Sequence, residues 1–182
     1  KIYVSADESF KPIIDAQVMV YEANTPGTSI IVQYKPEAEC LKDFATDSTR
    51  VIIATRGFLP EEENFMIDSM KVAPTQLTIA RDAIAVIVNP ASPDTVFTMK
   101  ELKEILTGKF KKNLIPVFDG VQATSTVRFI VDSVLHSDSL SPKAMAAKTS
   151  EEVINYVASH PEAIGLIGVS WIGNKDDADQ LS

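Results

Sequence analysis

The sequence predicts an α/β protein of mixed, mostly parallel sheets flanked by helices. Three observations carry that expectation. Short apolar or β-branched runs alternate with segments of helical periodicity along most of the chain. The runs read as nearly continuous apolar stretches, the pattern of strands covered on both faces. Capping signatures and helix breakers fall where the periodicity changes.

Taken in order, residues 2–5 read as a strand, and residues 11–24 carry Ile14, Val18 and Tyr21 at helical spacing, with Ser9 as the expected N-cap. Residues 29–34 form a β-branched run, residues 37–46 place Leu41, Phe44 and Ala45 at helical spacing, and residues 51–55 are apolar again. Two further β-rich runs, 76–80 and 83–88, are separated by Arg81 and Asp82. The second ends at Asn89-Pro90, a breaker at which the chain is expected to leave a first lobe. Thr98-Met-Lys-Glu101 is a capping box opening a helix with Leu102, Ile105 and Leu106 on one face, stopped by Gly108. A strand over 114–118 and a helix over 124–136 follow. A second capping box, Thr149-Ser-Glu-Glu152, opens a helix that ends before Pro161, and residues 163–169 read as a last strand. The tail 174–182 is polar, acidic and patternless.

Composition narrows the function classes. The chain has 182 residues, 45% of them apolar, with 7 Gly and 10 Pro, which excludes disordered and collagenous classes. Asp82, Asn89, Asp94 and Lys100 interrupt the most apolar stretch, so no window offers the roughly 20 apolar residues of a membrane span. Lys and Arg number 17 against 25 Asp and Glu, a net charge of −8 with no basic stripe, which argues against a nucleic-acid partner. Cys40 is alone and cannot form an internal disulfide. No targeting leader opens at Lys1, a pattern shared by cytosolic chains and processed exported ones.

The usual catalytic signatures are missing. His136 and His160 lie near expected helix ends without a second ligand at metal-binding spacing, so neither a metal nor a cofactor is expected. There is no P-loop, no Gly-x-Gly-x-x-Gly and no nucleophile elbow. Cys40 reads as a small buried apolar residue, and Pro60-Glu-Glu-Glu63 as a solvated helix start. These absences favour a binding protein over an enzyme. Hydroxyls recur at helix entrances instead: Ser9 after the first strand, and Thr124, Ser125 and Thr126 after the strand ending at Phe118. The first N–H groups of a helix lack internal partners, so hydroxyls beside them serve either as plain N-caps or as part of an anion cradle.

Several segments in order resemble the phosphate-binding proteins of bacterial ABC importers, within the two-lobed periplasmic solute-binding superfamily. They are Ser5-Ala-Asp-Glu-Ser-Phe10, Ile52-Ile-Ala-Thr-Arg-Gly-Phe-Leu59, Ala85-Val-Ile-Val-Asn89, Leu102-Lys-Glu-Ile-Leu-Thr-Gly108, Thr124-Ser-Thr126 and Ala163-Ile-Gly-Leu-Ile167. The resemblance implies two lobes, 1–82 with 168–182 and 83–167, and a cleft closing on a tetrahedral oxyanion. It further implies that Ser9 and Phe10 contribute a hydroxyl and backbone N–H groups, and that Thr124, Ser125 and Thr126 do the same from the other lobe.

Two departures stand out. Arg56 occupies the place of the family's proton-accepting Asp, and Asp119 lies closest to its usual Arg, so the charges are exchanged. An Arg56–Asp119 pair facing across the cleft would keep one guanidinium for the anion and one carboxylate for its proton; the same pair would also serve as a plain salt bridge. Glu39 adds a carboxylate that would repel an anion.

The implied function is a monomeric, non-enzymatic solute-binding subunit that captures phosphate or a similar oxyanion. It would work in the periplasm or at the outer face of the cytoplasmic membrane, with or without a lipid anchor, and deliver the ion to an ABC transporter permease. The alternative is a two-lobed sensor or interaction module that has lost anion binding. Trp171, the only Trp, is expected in a core.

Overall fold

From Ile2 to Ile53 the chain alternates strand and helix as the sequence suggests. In the computed structural model β1 spans Ile2–Asp7, α1 Lys11–Asn24, β2 Ile30–Lys35, α2 Glu37–Asp43 and β3 Val51–Ile53. The model describes residues 1–45, 49–120 and 124–173; the tail 174–182 lies outside them. Contacts divide the chain into two compact units, Lys1–Arg81 and Asp82–Ser182.

In the first unit β1 is the central strand and pairs in parallel with β2 and β3, in register Val4 opposite Val32 and Val51. Each parallel neighbour is reached through a helical crossover, because a tight turn cannot bring two strands into parallel. Side chains alternate along β1, so Val4 and Ala6 point to one face and Ser5 and Asp7 to the other; all four are buried. The Ser5 hydroxyl donates to Asp43 of α2 at 2.7 Å, and Lys35 pairs with the same carboxylate oxygen at 2.6 Å, so a polar network lies under α2.

Beyond β3, α3 (Pro60–Phe65) passes into a π-type turn at Met66–Met70, and Lys71 ends it in the left-handed region at φ 58°. The strand expected over 76–80 does not form. Residues 71–83 are irregular, and Leu77 and Ile79 are 80% and 76% exposed. β-branched composition stabilises a strand only where a neighbouring strand takes up its backbone groups and packs its side chains, and this run has no strand partner among the described residues.

The second unit holds β4 (Ile84–Val88), α4 (Met99–Leu106), β5 (Ile115–Phe118), α5 (Ser125–Ile130), β6 (Met145–Ala146), α6 (Ser150–Ser159) and β7 (Ala163–Gly168). Its sheet runs β4-β7-β5-β6, with β7 parallel to β5 and antiparallel to β4. Strand β7 is buried along its whole length. Ile164 and Leu166 enter a core with Leu102, Ile105 and Leu106 of α4 and Val127 and Ile130 of α5. Ala163 and Ile167 enter a second core with Val153 and Val157 of α6, against which Trp171 packs. Two covered faces explain the unbroken apolar reading of this segment.

Both capping boxes mark helix starts. Thr98 Oγ1 accepts from the Glu101 N–H at 3.2 Å while Glu101 accepts from the Thr98 N–H at 2.9 Å. Thr149 Oγ1 accepts from the Glu152 N–H at 3.2 Å, but Glu152 reaches back to the Lys148 N–H instead of the cap's own. The expected return of 168–182 to the first lobe is corrected for the described residues 168–173. Gly168 pairs with Ile84, and the Val169 N–H donates to the Ala83 carbonyl at 2.9 Å, which holds this segment in the second unit. Antiparallel pairing with β4 carries β7 past the point where the sequence suggested a crossing.

At Gly165 three core side chains leave no room for a Cβ. A Cβ there would sit 2.7 Å from Ile87 Cγ1, 2.8 Å from Val153 Cγ1 and 2.9 Å from Val157 Cγ2. Gly165→Ala therefore lowers stability by about 1–3 kcal/mol through overpacking. Thr98→Ala costs about 1 kcal/mol through loss of the cap. Urea denaturation of the two variants against the parent checks both values.

Candidate functional site

Parallel strands end on the same sheet edge, where α/β proteins collect ligands. In the first unit that edge gathers Asp7 at the end of β1 and Ser9 just after it, Glu37 after β2, and Thr55 and Arg56 after β3. In the second it gathers Asp119 after β5 and Thr124, Ser125 and Thr126 at the start of α5. The site residues expected from the sequence thus fall into two groups: Ser9, Phe10 and Arg56 in one unit, Asp119 and the three hydroxyl residues in the other.

Ser9 is not the N-cap anticipated for α1. It lies inside a short 3-10 turn, Glu8–Phe10, whose cap is Asp7, and Phe10 takes the N-cap place of α1. Asp7 Oδ1 accepts from both the Ser9 N–H (3.0 Å) and the Ser9 hydroxyl (2.5 Å). Asp7 and Ser9 are both almost fully buried. An anion that took a hydrogen bond from Ser9 would have to draw it away from Asp7.

The buried acid after β2 is Glu37, not Glu39. Glu37 is 3% exposed and accepts from the Thr55 N–H at 3.0 Å and from the Thr55 hydroxyl, which ties the start of α2 to the exit of β3. Glu39 faces solvent.

Within the first unit Arg56 pairs with Glu62. Its Nη1 donates to Glu62 Oε2 at 2.7 Å and its Nη2 to Glu62 Oε1 at 2.9 Å, a two-pronged pair within the first unit. Nη1 also donates to the Gly57 carbonyl at 2.8 Å. Glu62 Oε2 in turn accepts from the Leu59 N–H at 2.8 Å, the reach-back that opens α3. The hydrogen bonds from Arg56 hold the Glu62 carboxyl at about 2, well below the usual carboxylate range, against a smaller opposing effect of burial. The acidic run at the start of α3 is thus only partly a solvated helix entrance, since its middle member carries a charge-assisted pair.

In the second unit Thr124 is the N-cap of α5, its Oγ1 accepting from the Val127 N–H at 3.3 Å. The Thr126 hydroxyl donates to Asp119 Oδ2 at 3.3 Å, which links the end of β5 to the helix start. Thr124, Ser125, Thr126 and Asp119 are all buried. Asn89, which ends β4, donates from Nδ2 to the Val157 and Ala158 carbonyls at 3.0 and 2.7 Å and so holds the C-terminal end of α6.

The remaining candidates are structural. Cys40 is fully buried, and that burial pushes its thiol pKa up, away from the reactive thiolate. His160 stacks on Tyr156 at 3.9 Å, and His136 ends the turn Val131–Leu135 that continues α5. No group of three or more His, Cys, Asp or Glu side chains suited to a metal occurs among the described residues. No helix among the described residues is long and apolar enough to cross a membrane.

The sequence marks Glu62 only as part of the acidic run Pro60-Glu-Glu-Glu63 and gives Asp7 and Glu37 no role of their own. Asp7 had a signal, an acid at the last position of an apolar strand. Glu37 opens α2 directly after Pro36, and Glu62 stands three residues after the residue that precedes the helix.

None of the curated proteins matches the chain in sequence. Among solved structures, a protein assigned as a phosphate ABC transporter substrate-binding protein, with bound phosphate, from Clostridium perfringens superposes with a TM-score of 0.80 at 20% identity over 94% of this chain and 71% of its own. The periplasmic molybdate-binding protein of Azotobacter vinelandii gives 0.57 at 11% over 94% and 73%. An OxyR2 regulatory-domain variant from Vibrio vulnificus gives 0.70 at 9% over 98% and 77%. At these identities the likeness is one of fold. A family model described as the PBP superfamily domain matches residues 1–180, and the chain therefore belongs to the PBP superfamily.

Proposed function

We propose that the protein is a non-enzymatic solute-binding subunit of an ABC importer that binds phosphate or a similar tetrahedral oxyanion outside the cytoplasmic membrane. The observation that carries this reading is the arrival of Ser9, Phe10 and Arg56 at one sheet edge, where β1 and β3 run side by side in register Ala6 opposite Ile53. A guanidinium and a helix entrance at the carboxyl ends of adjacent parallel strands are the groups that bind oxyanions. The fold shared with the phosphate-bound Clostridium protein supports the same reading.

In this proposal Arg56 supplies the charge-assisted hydrogen bonds, and Phe10 and Ser9 supply donors from the start of α1. From the second unit Thr124, Ser125 and Thr126 supply hydroxyls and N–H groups. Asp119, already close to Thr126, takes the role of proton acceptor. A carboxylate beside the ion accepts the proton of hydrogen phosphate but meets only lone pairs on sulfate, so one residue sets the preference. The protein acts as a monomer, passes the ion to a membrane permease and needs no cofactor.

A second reading is favoured by one observation. Asp7 and Glu37 are buried acids at the same edge as Arg56, a charge balance suited to a sensor or interaction module that has lost anion binding. The fold of the OxyR2 regulatory domain shows that the scaffold also occurs in a regulator.

Isothermal titration with phosphate, sulfate and molybdate at physiological salt separates the two. Heat with at least one oxyanion is expected; no heat with any of them supports the sensor module. Arg56→Ala is expected to weaken binding by about tenfold to a hundredfold, the loss of a charged hydrogen-bonding group worth about 1.5–3 kcal/mol. Asp119→Asn is expected to reduce the preference for phosphate over sulfate by about five- to a hundredfold while leaving sulfate binding measurable. Competition titrations with the two ions check the ratio.

A further inference from the structure

A guanidinium carries five N–H donors in one plane. In Arg56 three of them are committed. One Nη1–H and one Nη2–H meet the two oxygens of Glu62, and the other Nη1–H meets the Gly57 carbonyl. The two that remain, Nε–H and the second Nη2–H, lie side by side on the same edge of the planar group and make no hydrogen bond among the described residues. That edge is a ready two-pronged donor with the spacing of two oxygens on one tetrahedral ion.

We propose that Glu62 is a positioning residue for the oxyanion site. It grips the far end of the Arg56 guanidinium, is itself held by the Leu59 N–H, and leaves the Nε–Nη2 edge as the surface that meets two oxygens of the ligand. The inference rests on the reading of Arg56 as an anion ligand. The geometry separates it from the opposite role, in which Glu62 stands in for the anion and the ligand must displace it. Because the carboxylate occupies a different edge of the guanidinium, ligand and Glu62 bind Arg56 together.

Holding the group before the ligand arrives has two effects. It removes the rotamer freedom that a long side chain would otherwise lose on binding. It also balances the guanidinium charge, so recognition depends on donor direction more than on net attraction. Lysine in place of Arg56 keeps the charge but has no flat fork.

Glu62→Asp tests the point without altering charge, since it shortens the side chain by one methylene and breaks the two-pronged grip. With inorganic phosphate as the probe, the Kd of Glu62→Asp is expected to rise about tenfold, the effect of losing preorganisation at one charged contact. Arg56→Lys is expected to lose at least as much. An unchanged or tighter Kd for Glu62→Asp overturns the proposal.

A measurement on the parent protein keeps the test independent of how the variants fold. In 15N-arginine-labelled protein, the Arg56 guanidinium is expected to show slowed rotation and resolved Nη signals before any ligand is added. Saturating phosphate is expected to shift Nε and Nη2 while leaving the Nη1 signal in place. Loss of the Nη1 signal position on adding phosphate shows that Glu62 is displaced and overturns the proposal. Phosphate heat with a freely rotating guanidinium overturns the role of Glu62 alone. Resolved Nη signals with no heat from phosphate, sulfate or molybdate overturn the oxyanion reading, and the ligand role of the fork with it.

Discussion

Parallel pairing of β1 with both β2 and β3 is the constraint on which the first unit depends. It forces three consecutive strands to end at one edge, so the residues at and just beyond each strand end, Asp7 to Phe10, Glu37, and Thr55 to Arg56, meet although they are far apart in sequence. No side chain chooses that meeting. The crossovers do, and the side chains then find partners: Asp7 caps the turn that holds Ser9, Glu37 takes the Thr55 N–H, and Glu62 takes Arg56. The second unit repeats the device once, with Thr126 reaching from the start of α5 to Asp119 at the end of β5.

Much of this architecture was legible because its causes are local. The helices α4 and α6 start at the Thr98 and Thr149 capping signatures, and α1 covers the residues that periodicity marked. The site was legible only to the extent of its strand-end positions. Glu39 was suspected as an interfering acid, whereas Glu37 is the buried one. The two residues are about 200° apart around a helix at roughly 100° per residue, so the face that α2 turns inward decides between them, and that face is set by packing on β1. The partner of Arg56 was also missed. Arg56 and Glu62 stand six positions apart, a spacing that no helix brings together, and the contact exists because the chain bends at Thr55 and Arg56 before α3 begins. The run 76–80 was misread for the complementary reason, since β propensity describes a residue's fit to a neighbour and says nothing about whether one is present.

Acids beside a proposed oxyanion contact make sense if charge and direction are handled by different groups. Glu62 neutralises Arg56 and fixes its plane, and Asp7 fixes the turn that carries Ser9. A surface built this way favours ligands by the number and angle of donors it presents, and a bulk salt change perturbs it less than it would perturb an open cationic patch.

The order of strands in the second sheet also has a bearing on synthesis. Among the described residues β4 pairs only with β7, which emerges about eighty residues later, whereas the three strands of the first unit can all pair once Ile53 has left the ribosome. Long-range pairing of this kind is slow to close, and domains made first fold first. The nascent chain thus carries the paired strands of the first unit and an orphan hydrophobic ribbon, Ile84–Val88, while about eighty further residues are made, and that ribbon is the segment on which holding chaperones would be expected to act.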